Sequence, residues 1–477
     1  MAVNVEDDSV RWTEILNRRY ASPLILVCLG VWLHAADGLI VATMLPSIVA
    51  DIGGRALVAW TTALYEIGSI VAGASSGLLA LKAGVRRPMA LAALVFAAGC
   101  LISALAPTMT ILLFGRLLQG LGGGGLTAMS FIAVAVLFPA RLTARAMAAI
   151  SALWGASAFL GPLIGGAFVT YATWRLGFVF FALQALLLAA WVFFGIRVTE
   201  RPAGIEAAGR VPFVRLLVLC LGVVLVAYSG IKVTAVGTPL LLAAGFGCLA
   251  AFLWLDDRSR GNRLLPKNPF SFATPLGAAL VMVLAMNIAA MGLTTYGPLL
   301  MTAIHGVSAL TAGYVVAAIA IGWTLAAVVV SGAPERLDRR HIAIGMSLVF
   351  VSIAGLVFSV PNGPVWLIAV FAAMEGVGYG MSWTFIIRRA RALTDMADVE
   401  RLSGALPTVG RLGYALGAAT SGILANAAGF ADATSPSELH LVARTIFIGC
   451  LPIALLGLVA MARFISAKNA AASRVEP

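Results

Sequence analysis

The chain has 477 residues, of which 61% are hydrophobic and 11% charged, with a net charge of +12 and a mean hydropathy of +1.00. Soluble globular chains carry about a quarter charged residues, so a water-soluble protein is excluded, and the long unbroken apolar runs exclude a β-barrel. The basic excess would suit a nucleic-acid binder if it were not confined to short loops between apolar runs, where it sets membrane orientation instead.

Residues 1–21 mix acidic and basic side chains and are expected to be a cytoplasmic segment. The apolar run that follows is too long for a cleaved signal peptide and predicts a retained first span. Six spans are expected at about 22–50, 57–81, 88–106, 109–138, 146–171 and 175–196, and two shorter ones at about 213–231 and 237–255. Six more follow at about 271–303, 308–332, 341–360, 364–387, 403–428 and 441–465. The fold expected is therefore an all-α polytopic membrane protein of fourteen transmembrane helices. Residues 22–197 would form an N-terminal six-helix bundle, 198–270 a linker with two added helices, 271–466 a C-terminal six-helix bundle and 467–477 a cytoplasmic tail.

The positive charges support this alternation. All 32 Lys and Arg fall at one side of the expected membrane except Arg55, Arg175, Lys232 and Arg444 on the other, and Arg116 and Arg411 within it. An even number of spans then places both termini in the cytoplasm. The halves echo one another: Pro46 near the end of span 1 matches Pro298 near the end of span 9, and SGLLALKAGVRR after span 2 matches SGAPERLDRR after span 10. Paired repeats of this kind build transporters with a midplane site between two rocking halves. Cys28, Cys100, Cys220, Cys248 and Cys450 all lie in apolar segments without a C-x-x-C pair, so neither a disulfide framework nor a zinc site is expected.

A charged residue at the centre of a spanning helix costs roughly 2.5–3.5 kcal/mol to insert and usually faces a cavity or a partner. Five are present: Asp37, Glu66 and Glu375, with Arg116 and Arg411. They sum to −1, which favours cationic cargo weakly; proton binding and substrate contact compete with a permanent structural network as their role. Glu66 and Arg116 lie at matching depth, ~12 Å from the outer ends, and are expected to be within reach of one another; Asp37 lies deeper, with His34 one turn before it on the same face. Trp32, Tyr65, Tyr296, Tyr379 and Trp383 are aromatic candidates for a cavity, with His34, Gln119, Asn287 and Arg411 as its polar members. Each aromatic also fits a purely structural place. Gly120 and Gly122 to Gly125 in span 4, Gly155, Gly161, Gly165 and Gly166 with Pro162 in span 5, and Gly410, Gly413, Gly417 and Gly422 in span 13 predict close helix packing. No strand precedes these glycines and no G-K-[ST] follows, so none is a phosphate loop.

These residues resemble the Major Facilitator Superfamily over essentially the whole chain, and within it the fourteen-span drug:proton antiporter family. The resemblance is carried by HAADGLIVATMLPSI in span 1, LLFGRLLQGLGGG in span 4, GASAFLGPLIGGAF in span 5 and TWRLGF from Thr173. It implies export against an inward proton flow, with no cofactor. Asp37 and Arg116 would serve proton coupling, and the span 5 glycines and Pro162 a hinge or seal; the embedded acids Glu66 and Glu375 join the proton-coupling set through their buried charge, not through the resemblance. It further implies a monomer in a bacterial inner membrane, whose partners are protons, a small-molecule substrate and the lipid bilayer. One departure stands out. The cytoplasmic loop motif keeps Gly77, Lys82, Gly84, Arg86 and Arg87, but Leu81 occupies the position of the family's aspartate, so any charge latch must use other acids, with Glu335, Asp338, Asp395, Asp398 and Glu400 as candidates.

The expected function is proton-coupled efflux of hydrophobic or amphiphilic, cationic small molecules. Two alternatives share the fold: an exporter of lipids or amphiphilic metabolites, and a proton-coupled nutrient importer, against which the span 5 motif argues. A membrane-embedded enzyme is not expected, because only four histidines are present and no metal-ligand or nucleophile constellation can be drawn.

Overall fold

The computed structural model describes residues 12–195, 211–259, 263–393 and 396–467. After a short helix α1 (Trp12–Ile15), the long helices run α2 (Ala21–Ile52), α3 (Val58–Ala83), α4 (Arg86–Ala104), α5 (Met109–Leu137), α6 (Ala140–Tyr171) and α7 (Trp174–Gly195). Two further helices, α8 (Phe213–Tyr228) and α9 (Gly237–Arg258), precede α10 (Pro275–His305), α11 (Ala309–Val330), α12 (Asp338–Asn362), α13 (Val365–Ala392), α14 (Met396–Ala427) and α15 (Pro436–Ser466). Spans 1 to 14 thus correspond to α2 to α15. Twelve of these helices are long and apolar enough to cross a membrane; α8 is shorter, at 16 residues, and α14 is not among the twelve. The protein is an all-helical, multi-pass membrane protein.

Local chemistry explains where the ends differ from expectation. Span 9 begins at Pro275 rather than about 271 because Thr274 caps it, its hydroxyl accepting from the Gly277 N–H, with proline in the first turn. The last span begins five residues early, where Ser435 and Glu438 form a reciprocal capping box ahead of the apolar run. Gly306 ends α10 in a left-handed conformation (φ 65°) that a side chain would resist, and Ser308 then caps α11.

Helix pairings recur between the halves. α3 and α4 both pack on α5 as α11 and α12 pack on α13, and α4 meets α7 as α12 meets α15. α2 lies on α6 as α10 lies on α14. The halves meet along two seams, α3 against α14 and α6 against α11, and α8 lies on the first of these. Contacts across the seams concentrate at the end that carries the α2–α3, α10–α11 and α14–α15 connections. There Arg55 donates to the Ala433 carbonyl at 2.6 Å, Asn426 to the Ala56 carbonyl at 2.9 Å, and Gly166 packs against Leu310. Toward the opposite end Gly73 and Gly77 on α3 and Gly404 on α14 are exposed and face open space. The structure is closed at one end and open at the other.

Candidate functional site

Glycine packing decides how close the central helices come. A Cβ at Gly120 would lie 2.0 Å from the Tyr65 carbonyl oxygen and one at Gly124 would lie 2.5 Å from the Ser69 Cα, so α5 presses its glycine face directly on α3. Gly123 leaves room for the Tyr65 hydroxyl and the His34 ring, which would approach a Cβ there to 2.9 and 3.0 Å. The run of glycines in span 4 is what lets large polar side chains from α2 and α3 meet in the middle of the N-terminal half.

Those side chains form one connected network. Arg116 of α5 donates to Asp37 of α2 at 2.6 Å and to the Thr61 carbonyl at 3.2 Å, and also to Gln119, one turn along its own helix. Its guanidinium stacks over the Tyr65 ring at 4.4 Å. Both members of the ion pair are buried, 3% and 2% exposed. Tyr65 shares a 2.7 Å hydrogen bond with His34 Nδ1, and Arg411, arriving from α14 in the other half, lies 3.1 Å from His34 Nε2. Arg411 also donates to Ser69 Oγ at 2.5 Å and to Glu66 at 3.3 Å. A charge left unpaired at this depth is costly, and the pairing removes that cost for two of the three embedded acids.

This geometry corrects one expectation. Glu66 does not pair with Arg116; it pairs with Arg411 across the seam. Thr61 and Tyr65, four residues apart, present one face of α3 to Arg116, whereas Glu66 and Ser69, three apart, share the adjacent face turned toward α14. Depth alone does not distinguish neighbouring faces of a helix. His34, a residue more often packed or simply hydrogen-bonded in such a helix, is the link between Tyr65 and Arg411.

The third acid stands apart. Glu375 of α13 is 2% exposed, and its Oε2 has no hydrogen-bond partner among the described residues; the hydroxyl of Tyr379, one turn on, has none either. Tyr379 stacks on Trp323 with ring centroids 5.5 Å apart, and Trp323 also meets Trp383. Asn287, Tyr379 and Trp383 come together around a small cavity with Met286 and Met346, and Asn287 donates to the Gly410 carbonyl at 3.3 Å. Two other aromatic candidates are placed structurally. Trp32 donates to Gln184 of α7 at 3.0 Å, inside the N-terminal half, and Tyr296 is fully buried against Phe430.

The span 5 motif packs on two helices at once. Gly161 and Gly165 receive α2 through Leu39 and Ile40, while Gly166 and Pro162 meet α11 at Leu310 and Gly313. In the loop motif between α3 and α4, Gly84 ends α3 with φ 70°, Gly77, Lys82 and Arg87 are exposed, and Arg86 donates to the Phe193 carbonyl. In the other half the corresponding loop does hold an ion pair: Asp338 binds Arg388, whose guanidinium also donates to the Ala333 carbonyl at 3.0 Å. Of the acids considered for a latch, Asp338 is thus engaged, and Asp395 and the side chains of Asp398 and Glu400 lie outside the described residues.

Ser69, Thr61 and Trp154 were not anticipated. Ser69 had a signal in its position one turn after Glu66. Trp154, whose ring meets the edge of His34 at 6.0 Å, had one in preceding the first motif glycine, Gly155, directly.

Comparison with known proteins agrees with this architecture. The pattern of the Major Facilitator Superfamily matches residues 27–339 and 278–477. A protein of Mycobacterium tuberculosis named "Probable multidrug-efflux transporter" is 30% identical over 442 residues, covering 90% of this chain and 93% of its own. The multidrug transporter protein MdtP of Bacillus subtilis is 27% identical over 293 residues, covering 59% of this chain and 52% of its own. Among solved structures, a bacterial homologue of the human lysosomal transporter Spinster, inward-facing and unoccupied, superposes with a TM-score of 0.65 at 15% identity, covering 94% of this chain and 97% of that one. The xylose transporter XylE of E. coli in a partially occluded, inward-open form gives 0.58 at 16% identity, covering 93% and 97%. The chain belongs to the Major Facilitator Superfamily and is a membrane transporter rather than an enzyme.

Proposed function

We propose that this protein is a fourteen-span, proton-coupled antiporter that exports hydrophobic or amphiphilic, cationic small molecules across a bacterial inner membrane by alternating access. The observation that carries this reading is the buried network from Asp37 through Arg116, Tyr65 and His34 to Arg411 and Glu66, because it joins the two halves through groups that exchange protons. A proton delivered to Glu66 removes the negative partner of Arg411 and weakens the tie across the α3–α14 seam, while one on Asp37 frees Arg116 within the N-terminal half; loss of the proton restores each pair. The similarity to the mycobacterial protein supports efflux as the direction of transport.

The charge pattern supports fourteen crossings with both termini inside. Arg215 at the start of α8 and Arg258 at the end of α9 lie on one side only if α8 crosses as well as α9. Arg389 before α14 and Arg463 at the end of α15 require the same of α14. The closed end then faces outward and the open end the cytoplasm. The Asp37→Asn variant is expected to fold and to lose proton-driven efflux; full efflux by that variant would overturn the assignment.

A further inference from the structure

The added pair α8–α9 is fixed at both of its ends. At the closed end, Gly230, just beyond α8, meets α14 so closely that a Cβ there would lie 2.8 Å from Ile423 Cγ1 and 3.0 Å from the Ile423 backbone nitrogen. Its carbonyl accepts a 2.7 Å hydrogen bond from Asn426 of α14, and the Ser229 carbonyl beside it accepts from the Thr238 hydroxyl of α9 at 3.1 Å. At the open end, Arg215 in the first turn of α8 forms a buried ion pair with Asp256 in the last turn of α9. The same carboxylate accepts from the Leu264 and Leu265 N–H groups, each at 3.0 Å, in the segment that leads into α10. Both attachments are therefore to the C-terminal half. α8 also touches α3, but no hydrogen bond or ion pair joins the added pair to the N-terminal half among the described residues.

Asn426 faces both ways. Its amide nitrogen donates to Gly230 within the C-terminal half and, at 2.9 Å, to the Ala56 carbonyl in the link between α2 and α3. The two hydrogens of a side-chain amide lie in one plane at fixed directions, so the bond to Gly230 sets where the other hydrogen points. Two carbonyl partners also fix which end of the amide faces them, and Asn426 Oδ1 is left buried without a partner among the described residues. The α8–α9 loop thus positions a donor that reaches across the α3–α14 seam, where Ala59 of α3 packs on Gly422.

We propose that α8 and α9 move as part of the C-terminal half and that their loop holds Asn426 as a latch: when the closed end opens, the bond to Ala56 breaks and the bond to Gly230 persists. The proposal rests on the alternating access inferred above, and on neither proton coupling nor the class of cargo. It accounts for the one-sided attachment of the added pair. Polar bonds from α8 to α3 would have to be broken and remade in every cycle, whereas apolar surfaces slide past one another without leaving a buried donor or acceptor unpaired. The added helices then have a function in the cycle, as the support of a positioning residue, Asn426, at the closed end.

The test measures spin-label distances in the full chain in lipid nanodiscs, at one pH and with neither gradient nor cargo. Labels are placed in pairs at three exposed positions of the closed end: Lys232 in the α8–α9 loop, Ser437 at the start of α15 and Thr108 before α5. The Thr108–Ser437 pair reports separation of the halves. Each pair is read in the wild type, in Asn426→Leu, which keeps the side-chain volume and removes both donors, and in Gly313→Leu, which wedges the other seam. Asn426→Leu is expected to raise the ratio of the longer to the shorter Thr108–Ser437 component about fivefold, as loss of one hydrogen bond across the seam implies. In whichever variant the halves separate, Lys232–Thr108 is expected to lengthen with them and Lys232–Ser437 to keep its wild-type distribution. A Thr108–Ser437 ratio unmoved by Asn426→Leu would overturn the latch. A Lys232–Ser437 distance that lengthens as the halves part would overturn the shared movement. Because no proton or cargo enters the measurement, a chain that does not couple protons still gives this answer, and failure of the antiport reading is a separate result.

Discussion

At the scale of single residues, the two arginines divide the work. Arg116 is a within-half partner, held by Asp37, Gln119 and the Thr61 carbonyl, whereas Arg411 crosses between halves. Removing one partner of a buried pair leaves the other charge uncompensated. Arg116→Ala is therefore expected to destabilise the protein by about 3–5 kcal/mol, and adding Asp37→Asn to recover part of that loss. Thermal unfolding in detergent checks both; a double variant as unstable as Arg116→Ala alone would contradict the pairing. Arg411→Lys is expected to behave differently. An ammonium cannot match a planar fork that reaches Glu66, Ser69 and His34 together, so transport falls while the fold persists. Wild-type transport by Arg411→Lys would remove the cross-half tie from the mechanism. The residues themselves were legible in the sequence, because charges inside apolar runs are conspicuous. Their partners were not: Glu66 sits beside Tyr65 in sequence but on another face of α3, and a sequence without a known helix rotation does not say which face meets α5 and which meets α14.

At the scale of helices, small residues set the contacts that must form and break. A Cβ at Gly313 would come within 2.3 Å of the Thr43 hydroxyl and 3.0 Å of Pro162, at the closed end of the α6–α11 seam. Gly313→Leu is expected to wedge that end apart and shift the population toward the outward-open form. Spin-label distances between the outer ends of α6 and α11 read this as a longer component; an unchanged distribution would mean that the seam does not gate. Gly376 differs, because it packs α13 on α11 inside one half, where a Cβ would lie 1.8 Å from the Ile319 carbonyl oxygen. Substitution there is expected to cost stability, roughly 1–3 kcal/mol, without favouring either open form. Helix existence was readable from apolar runs, and Gly155 to Gly166 announced a tight surface. That this surface serves two helices, α2 and α11, was not readable, since the partner of a glycine face leaves no trace in its own sequence.

At the scale of the whole molecule, the recurrence of helix pairings between the halves accounts for the repeated prolines and loop motifs noticed in the sequence. The departure at Leu81 also gains a physical context. The N-terminal copy of the loop motif lacks its acid, while the C-terminal copy keeps Asp338 bound to Arg388. No ionisable residue interrupts the apolar centres of the added helices α8 and α9; the position of α8 against α3 and α14, with α9 packed on α8, depends on tertiary packing and had no local signature. Their crossing is testable directly. A phosphatase reporter inserted after Lys232 is expected to be active outside, and one fused at the C-terminus inactive; the reverse pattern would require a different number of crossings.

The central claim, that an embedded charge network couples proton entry to export, is tested most directly in inside-out vesicles carrying a pH gradient. Lipophilic cations are added and lumenal pH is followed for the wild type and for Asp37→Asn. The account predicts a cation-triggered collapse of the gradient that is absent from the variant. A gradient that no cation disturbs in either protein, or that collapses equally in both, would contradict it.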